Sequence, residues 1–312
     1  MNKLKIFCVG AENHKNQVHH LRTAFKELGH EVLDNYKVCD AIFCNDPSSY
    51  SEEYRKNNKG AIIIYNLLDY PPHLIDPNKY DLSMYSKLSH NWGRNFDVEG
   101  LTNKLKTADL VTTICDHVTW QAQHFSKIKA HTIFNPIKPV SKLNLPPYQK
   151  IRNSRGEPYK YLAVGRLRDI NKRMLMILPI LQFLGESHSS LVTAGSEDLG
   201  IGEFLGDVSD FNLNLLYNSV DYLFLLSAFR SIGLPALEAI VTGVIPIVCN
   251  DCPTTKEFFG DIGVPPEPKE IANCIKSPEW NAKARKFVDE HCEEYKAKFS
   301  PQQICKNILN LL

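Results

Sequence analysis

Residues 215–251 read LLYNSVDYLFLLSAFRSIGLPALEAIVTGVIPIVCND. Two continuous apolar runs flank a turn with glycine and proline and a segment of helical length. The pattern predicts a strand at 222–226, a helix at 235–242 and a strand at 244–248. Continuous apolar strands joined by a helix are typical of a parallel sheet that is covered on both faces. We therefore expect parallel α/β architecture.

The turn in this stretch predicts an anion-binding helix end. Gly233 lets the backbone approach a ligand closely, and Pro235 suits the first helical turn because its missing N–H is not needed there. The free N–H groups and partial positive charge at such an end suit a diphosphate. Glu238 lies about one turn further along, where its carboxylate can accept hydrogen bonds from ribose hydroxyls. An ordinary helix start with a solvent-facing glutamate fits the same residues.

The same alternation of short apolar runs and helical stretches continues through the chain. It predicts further strands at residues 5–10, 40–44, 61–65, 110–115, 132–134, 161–164 and 191–194, and helices at 16–29, from 116, at 173–184, at 213–219 and from 282. A proline-rich stretch, which we expect to be extended and exposed, separates the halves. The predicted parts are an N-terminal domain (1–137), a linker (138–158), a C-terminal domain (159–297) and a C-terminal helix (298–312).

Two doubly wound halves predict ligand sites at the carboxyl edges of their sheets, on either side of a cleft. The loops that matter then follow Val9, Tyr65, Val164, Ala194 and Leu226. The loop after Val164 carries four cations, Arg166, Arg168, Lys172 and Arg173. Cations at a strand end can neutralise a leaving phosphate, although a solvated basic loop fits the same residues.

The composition is that of an ordinary soluble globular protein, with 312 residues, a net charge of +1 and 43% hydrophobic residues. The apolar runs are too short for a membrane span or a signal peptide, so we expect a cytosol-like compartment. The near-neutral charge argues against a broad basic face. The closest pair among the nine cysteines is Cys249 and Cys252, three positions apart, which is weak evidence for a metal site. We interpret the cysteines as buried thiols rather than disulfides or zinc ligands.

The second half resembles the donor domain of retaining glycosyltransferases with the GT-B fold, specifically glycosyltransferase family 4. The motifs that carry the resemblance are VGRL at 164–167 with Lys172, FLGDV at 204–208, LY at 216–217 with VD at 220–221, IGLPALEA at 232–239 and GVIPIV at 243–248. The first half is more loosely similar, through LGHEV at 28–32, ADLV at 108–111 and FNPI at 134–137.

The resemblance implies a GT-B fold, in which two Rossmann-like doubly wound domains face each other across a cleft. It also implies a nucleotide-sugar donor of the UDP- or GDP-sugar type and no tightly bound metal. Arg166 and Lys172 would bind the donor diphosphate with the amides of Gly233 and Leu234, and Glu238 would hold the ribose. Other positions of the donor loops are Gly10, Gly165, Arg173, Arg230 and Ser231.

Three departures from the family pattern bear on the site. Arg230 stands where the family has a glutamate that contacts the donor sugar. The spacing from Arg166 to Lys172 is about one residue longer than usual, so Arg168 or Arg173 can substitute. The loop that begins at Gly10 lacks the usual glycine pair, and no catalytic-loop histidine is obvious. Asp69 and His73 follow the corresponding strand and are our candidates for that catalytic role, beside a plain loop-structure interpretation.

The chain is therefore predicted to be a glycosyltransferase that retains anomeric configuration and uses a hydroxyl acceptor. Alternatives are a non-catalytic nucleotide-sugar-binding protein, motivated by Arg230, a GT-B epimerase or phosphorylase, and an enzyme that modifies a hydroxylated nucleic-acid base. Residues 138–160 contain six basic residues and one acidic residue. This charge suggests a polyanionic acceptor, such as DNA or a phosphorylated glycan, although a linker that is basic by chance fits equally.

Overall fold

The structure is a computed structural model that describes residues 3–10, 15–68, 97–146, 149–228 and 233–312. The chain forms two compact units, one of Met1–Pro136 with Lys298–Leu312 and one of Ile137–Ala297. Each unit has one parallel sheet, so the prediction of two parallel α/β halves is confirmed.

The first unit is wound around a six-stranded sheet. Its elements are β1 (Lys5–Val9), α1 (Lys15–Glu27), β2 (Glu31–Leu33), β3 (Ala41–Cys44), α2 (Glu52–Asn57), β4 (Ile62–Leu67), α3 (Val98–Leu105), β5 (Leu110–Thr113), α4 (Asp116–Phe125), β6 (His131–Thr132) and α11 (Pro301–Leu309). The strands lie in the order β2-β1-β3-β4-β5-β6. The chain moves from β1 to β2 on one side and resumes with β3 on the other, so the winding reverses between β1 and β3.

The C-terminal helix completes the core of the first unit. Ser300 caps α11 by accepting a hydrogen bond from the Gln303 N–H (3.2 Å). The apolar face of α11 packs on α1, where Ile304 and Ile308 join the buried cluster around Phe25. The last residues of the chain are therefore part of the first unit's core, although they are separated from its other elements by the whole second unit.

The second unit is wound around a five-stranded sheet. Its elements are β7 (Tyr161–Val164), α5 (Ile177–Leu184), β8 (Leu191–Ala194), β9 (Glu203–Phe204), α6 (Asp210–Tyr217), β10 (Tyr222–Leu225), α7 (Leu234–Thr242), β11 (Ile245–Val248), α8 (Thr255–Phe259), α9 (Pro268–Lys276) and α10 (Pro278–Lys298). The strand order is β11-β10-β7-β8-β9. The winding therefore reverses between β7 and β10, which is where open α/β sheets bind ligands.

The segment predicted as a linker contributes to the second unit. The Ser141 N–H donates to the Asn214 side chain (3.0 Å), and the Leu143 N–H donates to the Asn218 side chain (2.7 Å). These bonds hold the segment on α6. Ser141 and Leu143 are half-buried, and side chains of α6 and the residue after it satisfy their backbone N–H groups.

The nine cysteines are free thiols, and seven of them are buried. Burial raises the pKa of Cys8, and likewise of Cys249, to about 12. The interpretation of the cysteines as buried small side chains is confirmed for these seven, whereas Cys274 and Cys292 are partly exposed. In the described part of the chain, no helix combines the length and the apolar character needed to cross a membrane.

Candidate functional site

Two glycines meet at the carboxyl edge of the second sheet. Gly165 follows β7 with φ of +114°, and Gly195 follows β8 with φ of +146°. A side chain on Gly195 would clash with the Gly165 carbonyl, so the two backbones can approach only because Gly195 has none. The Gly165 N–H donates to the Ala194 carbonyl (2.9 Å), which joins the two loops.

Lys172 lies beside Gly165. A Cβ on Gly165 would be 2.5 Å from Lys172 Nζ, so the missing side chain makes room for the ammonium group. Lys172 is 5% exposed and ends a short 3-10 helix, Ile170–Lys172. The carbonyl of Asn171 accepts a hydrogen bond from the Ala228 N–H (2.8 Å). The loops after β7 and β10, on the two sides of the winding reversal, are thus joined next to a buried cation.

Two other cations of this loop bind nearby protein oxygens. Arg166 Nη2 lies 3.4 Å from an Asp169 oxygen, and the Arg166 side chain is 66% exposed. Arg168 Nε donates to the Asp198 carbonyl (2.8 Å). Both side chains stay at the surface near the strand end, whereas Lys172 is buried there.

Arg173 forms a buried ion pair with Asp251. The two side chains are 14% and 10% exposed, and Arg173 Nη2 lies 2.6 Å from Asp251 Oδ2. Burial lowers the pKa of Arg173, but the hydrogen bond and charge of Asp251 outweigh it and the pKa is raised overall. Arg173 also has φ of +51°, a left-handed conformation that costs an L-residue about 1–2 kcal/mol. The pair therefore holds a strained backbone position directly after Lys172.

The amino end of α7 has the geometry that the sequence predicts. Gly233 is its N-cap, and Pro235 lies in the first turn. A side chain on Gly233 would contact a terminal methyl group of Leu225, which would have to move. The Ala236 N–H already donates to the Gly233 carbonyl (2.8 Å). Leu234 begins the helix, one residue before the predicted start at Pro235.

Glu238 is buried, so the solvent-facing alternative is wrong. Its side chain is 4% exposed. One carboxylate oxygen accepts a hydrogen bond from the Tyr217 hydroxyl (2.8 Å), and the other accepts one from the Lys138 N–H (3.3 Å). A carboxylate has about four acceptor positions, so these two bonds orient the group without exhausting its capacity.

The environment of Glu238 raises the pKa of its carboxyl group. Burial raises the pKa of Glu238, and the hydrogen bonds from Tyr217 and Lys138 oppose this effect without cancelling it. Burial and the neighbouring carboxylate also raise the pKa of Tyr217. The phenol therefore stays a hydrogen-bond donor, and a buried carboxyl is held at the first turns of the helix that faces the winding reversal.

A row of amides lies at the corresponding edge of the first sheet. Asn45 directly follows β3, and the register places it beside Gly10 on one side and Asn66 of β4 on the other. Asn66 donates to the side-chain oxygens of Asn45 (2.9 Å) and Asn135 (3.0 Å). Asn45 and Asn135 in turn donate to Gln17 Oε1, at 3.1 and 3.5 Å. We call Gln17, Asn45, Asn66 and Asn135 the amide row.

Four site residues named from the sequence lie outside the described residues, namely Asp69, His73, Arg230 and Ser231. Their roles stay predictions. Where the structure describes side chains, no three His, Cys, Asp or Glu groups converge as a metal site would require.

Sequence reasoning missed the partners of the site residues. Tyr217 belongs to the LY motif, but nothing in one sequence pairs it with Glu238. Asn45 directly follows the strand predicted at 40–44, and a polar residue at that place is the signal that could have pointed to it. Asp251 lies three residues after the strand predicted at 244–248, so it carries a weaker signal.

Comparisons with known proteins identify the fold. Sucrose-phosphate synthase from Thermosynechococcus elongatus is similar with a TM-score of 0.66 and 15% identity, over 99% of this chain and 98% of that one. The Anabaena protein HepE, solved in complex with UDP and glucose, is similar with a TM-score of 0.67 and 13% identity, over 99% of both chains. The chain thus has the GT-B fold, with two Rossmann-like α/β domains.

A comparison by sequence gives a more local match. O-antigen chain mannosyltransferase B from Escherichia coli is 30% identical over 117 residues, which cover 33% of this chain and 30% of the relative. The chain therefore matches less than a third of that relative's length. No protein-family profile matches the chain.

Proposed function

We propose that this protein is a glycosyltransferase that moves a sugar from a nucleoside-diphosphate sugar, of the UDP- or GDP-sugar type, to a hydroxyl acceptor. The resemblance to glycosyltransferase family 4 adds the expectation that anomeric configuration is retained. The 30% identity to a mannosyltransferase and the similarity to a protein solved with UDP and glucose support the same class of reaction.

The observation that carries the proposal is the burial of two charged groups, Lys172 and Glu238, in the connections that follow β7 and β10. Lys172 is a buried cation beside Gly165, and Glu238 is a buried carboxyl in α7. The loops that hold them flank the winding reversal of the second sheet. A nucleoside diphosphate matches this arrangement, because its phosphates need a cation and helix N–H groups while its ribose hydroxyls need an acceptor.

The proposed reaction breaks the bond between C1 of the sugar and the diphosphate oxygen. The acceptor hydroxyl oxygen forms the new bond to C1 and gives its proton to the departing diphosphate or to water, and the electron pair of the broken bond stays on the diphosphate. Lys172, assisted by Arg166 and the amino end of α7, stabilises that growing negative charge. Fixed charges of this kind are typically worth on the order of a hundredfold in rate each.

Thermal unfolding with UDP, GDP, ADP and the matching nucleosides tests the donor site. A diphosphate at one hundred times its dissociation constant should add about 2.7 kcal/mol of stability, and the nucleoside without phosphates should add far less. If no nucleoside diphosphate stabilises the protein more than its nucleoside, the proposed donor site is wrong.

Arg230 motivates a second candidate, a protein that binds the nucleotide sugar without transferring it. A cation in place of the usual glutamate changes the charge near the sugar. Donor turnover separates the two candidates, because a binding protein would show nucleotide-dependent stabilisation but no release of nucleoside diphosphate from any donor sugar.

A further inference from the structure

Side-chain hydrogen bonds at the carboxyl edge of the first sheet lead from Thr112 to Gln17, through Asn66 and then through Asn45 or Asn135. Thr112 of β5 donates to Asn66 Oδ1 (3.0 Å). Asn66 donates to Asn45, and Asn45 donates to Gln17. The row therefore begins at a hydroxyl donor on β5 and ends on the side chain of Gln17 in the first turn of α1.

This edge coincides with the point where the winding of the first sheet reverses. The reversal lies between β1 and β3, and Asn45 is the first residue after β3. The Asn45 N–H donates to the Val9 carbonyl (2.8 Å), which ties the ends of these two strands together. Open α/β sheets bind their ligands outside the strand ends at this point.

Only the last amide of the row is accessible to a ligand. Asn45, Asn66 and Asn135 are buried, whereas Gln17 is partly exposed. Two N–H donors converge on Gln17 Oε1, so the oxygen faces the row and Nε2 faces the other way. A chain of hydrogen bonds that all point in one direction polarises its members and strengthens the donor at its end.

The chemistry of this donor selects an uncharged partner. An amide N–H binds a hydroxyl or carbonyl oxygen, but it supplies no charge to neutralise a phosphate. The carboxylate of Asp46 follows Asn45 directly and disfavours an anion nearby. The edge of the second sheet has the opposite character, since cations of its first loop gather there.

We propose that Gln17, oriented by the amide row, is a specificity-determining residue that donates a hydrogen bond to a hydroxyl oxygen of an uncharged sugar at the first sheet's carboxyl edge. The proposal rests on the glycosyltransferase function proposed above and names the ligand class of the first unit. It favours a neutral glycan over the polyanionic acceptor suggested by the basic segment 138–160. Two lysines of that segment are already paired, Lys138 with Asp210 and Lys160 with Glu186.

The test compares Gln17→Glu with the wild type. Glutamate keeps an oxygen for the Asn45 and Asn135 donors but replaces the outward N–H groups with a negatively charged oxygen. Ligand-observed NMR titrations would use uncharged disaccharides of mannose and of glucose, with single-stranded DNA as the polyanion. We expect Gln17→Glu to weaken saccharide binding at least about tenfold and to leave UDP and GDP binding unchanged. Wild-type saccharide binding should also be constant between about 50 and 200 mM salt.

Gln182→Glu is the matched control, since it makes the same chemical change at an exposed position of α5. Equal saccharide affinity for Gln17→Glu and Gln182→Glu overturns the proposal, and so does failure of every uncharged disaccharide to bind the wild type. Salt-sensitive binding of DNA alone overturns it in favour of a polyanion. A wild type that binds saccharide but no nucleotide refutes the donor function while leaving the role of Gln17 standing. Equal thermal midpoints for the variants exclude misfolding.

Discussion

Gly165 performs two tasks that another residue cannot combine. Its φ of +114° is a conformation that L side chains rarely adopt, and its missing side chain leaves the space in which Lys172 Nζ lies. Gly156 offers a matched comparison, because its φ is +76° and a Cβ there would meet nothing within 4 Å.

Alanine variants of these two glycines separate the effect of backbone strain from the effect of displacing Lys172. Gly165→Ala and Gly156→Ala should each lower the free energy of unfolding by about 1 kcal/mol or more, since both force alanine to positive φ. Only Gly165→Ala should displace Lys172, so it alone should weaken UDP or GDP binding at least about tenfold, as Lys172→Ala should. Urea unfolding and calorimetric titration give both quantities. Equal nucleotide affinity for the two alanine variants would remove Lys172 from the donor site.

The burial of Glu238 predicts how the free energy of unfolding changes with pH. Because burial raises the pKa of Glu238 above that in the unfolded chain, near 4.3, the folded state binds more protons between these values. The stability contributed by the protonated group is present below the unfolded pKa and is lost as pH rises through the folded pKa. Glu238→Gln does not titrate, so the variant should gain stability relative to the wild type as pH rises over that window. Urea unfolding between pH 4 and 8 measures the difference, and a difference independent of pH would contradict this role of burial.

Glu238→Gln also tests whether Glu238 binds the ribose of the donor. Wild-type protein should bind UDP more tightly than 2′-deoxy-UDP if the carboxylate accepts from the ribose hydroxyls. Glu238→Gln should lose that preference while keeping its affinity for the phosphates. A preference that survives the substitution would assign the ribose to another residue.

At the scale of elements, the Arg173–Asp251 pair connects the loop after β7 to the loop after β11. Both side chains are nearly buried, and removing one partner of such a pair leaves an uncompensated charge that costs about 3–5 kcal/mol. Asp251→Ala should therefore be strongly destabilising, and Arg173→Met with Asp251→Leu should recover most of the loss. The exposed pair Lys286–Glu290, at 3.8 Å, is the control, and Glu290→Ala should change stability little. Urea unfolding of the wild type, Asp251→Ala, the double variant and Glu290→Ala checks this order of stabilities. If Asp251→Ala loses no more stability than Glu290→Ala, the Arg173–Asp251 pair is unimportant for stability.

The sequence predicts the elements of the second unit closely and their contacts poorly. The strand predicted at 222–226 is β10 (Tyr222–Leu225), and the helix predicted at 235–242 is α7 (Leu234–Thr242). These two elements are predictable because their apolar runs are continuous and because glycine and proline mark their boundaries. The two-residue strand β9 and the three-residue strand β2 were missed, since so few residues carry no periodicity.

In the candidate site, too, the residues are easier to predict from the sequence than their contacts. Gly165, Lys172 and Glu238 stand in recognisable motifs, in the loop after β7 and the helix after β10. The contact between Glu238 and the Lys138 N–H joins positions one hundred residues apart, and the amide row joins four segments of the first unit. Such contacts depend on strand register and packing, which local patterns do not specify.

At the scale of the whole molecule, the chain returns to its first unit after completing the second. Lys298–Leu312 belongs with Met1–Pro136, and the buried face of α11 fills space against α1. The first unit's core is therefore incomplete until the last residues of the chain are present, so these residues matter more than their terminal position suggests.

A single substitution in α11 should accordingly affect the first unit and spare the second. Ile308 is 1% exposed within the cluster that includes Leu21 and Phe25, and Ile308→Ala should cost about 2–5 kcal/mol through lost burial and a residual cavity. Native-state hydrogen exchange should show faster exchange across the strands of the first sheet and unchanged exchange in those of the second. Lys306→Ala changes an exposed position of the same helix and should leave both patterns as they are. If Ile308→Ala accelerates exchange equally in both sheets, the two units unfold as one, and the destabilisation belongs to the whole chain rather than to the core that α11 completes.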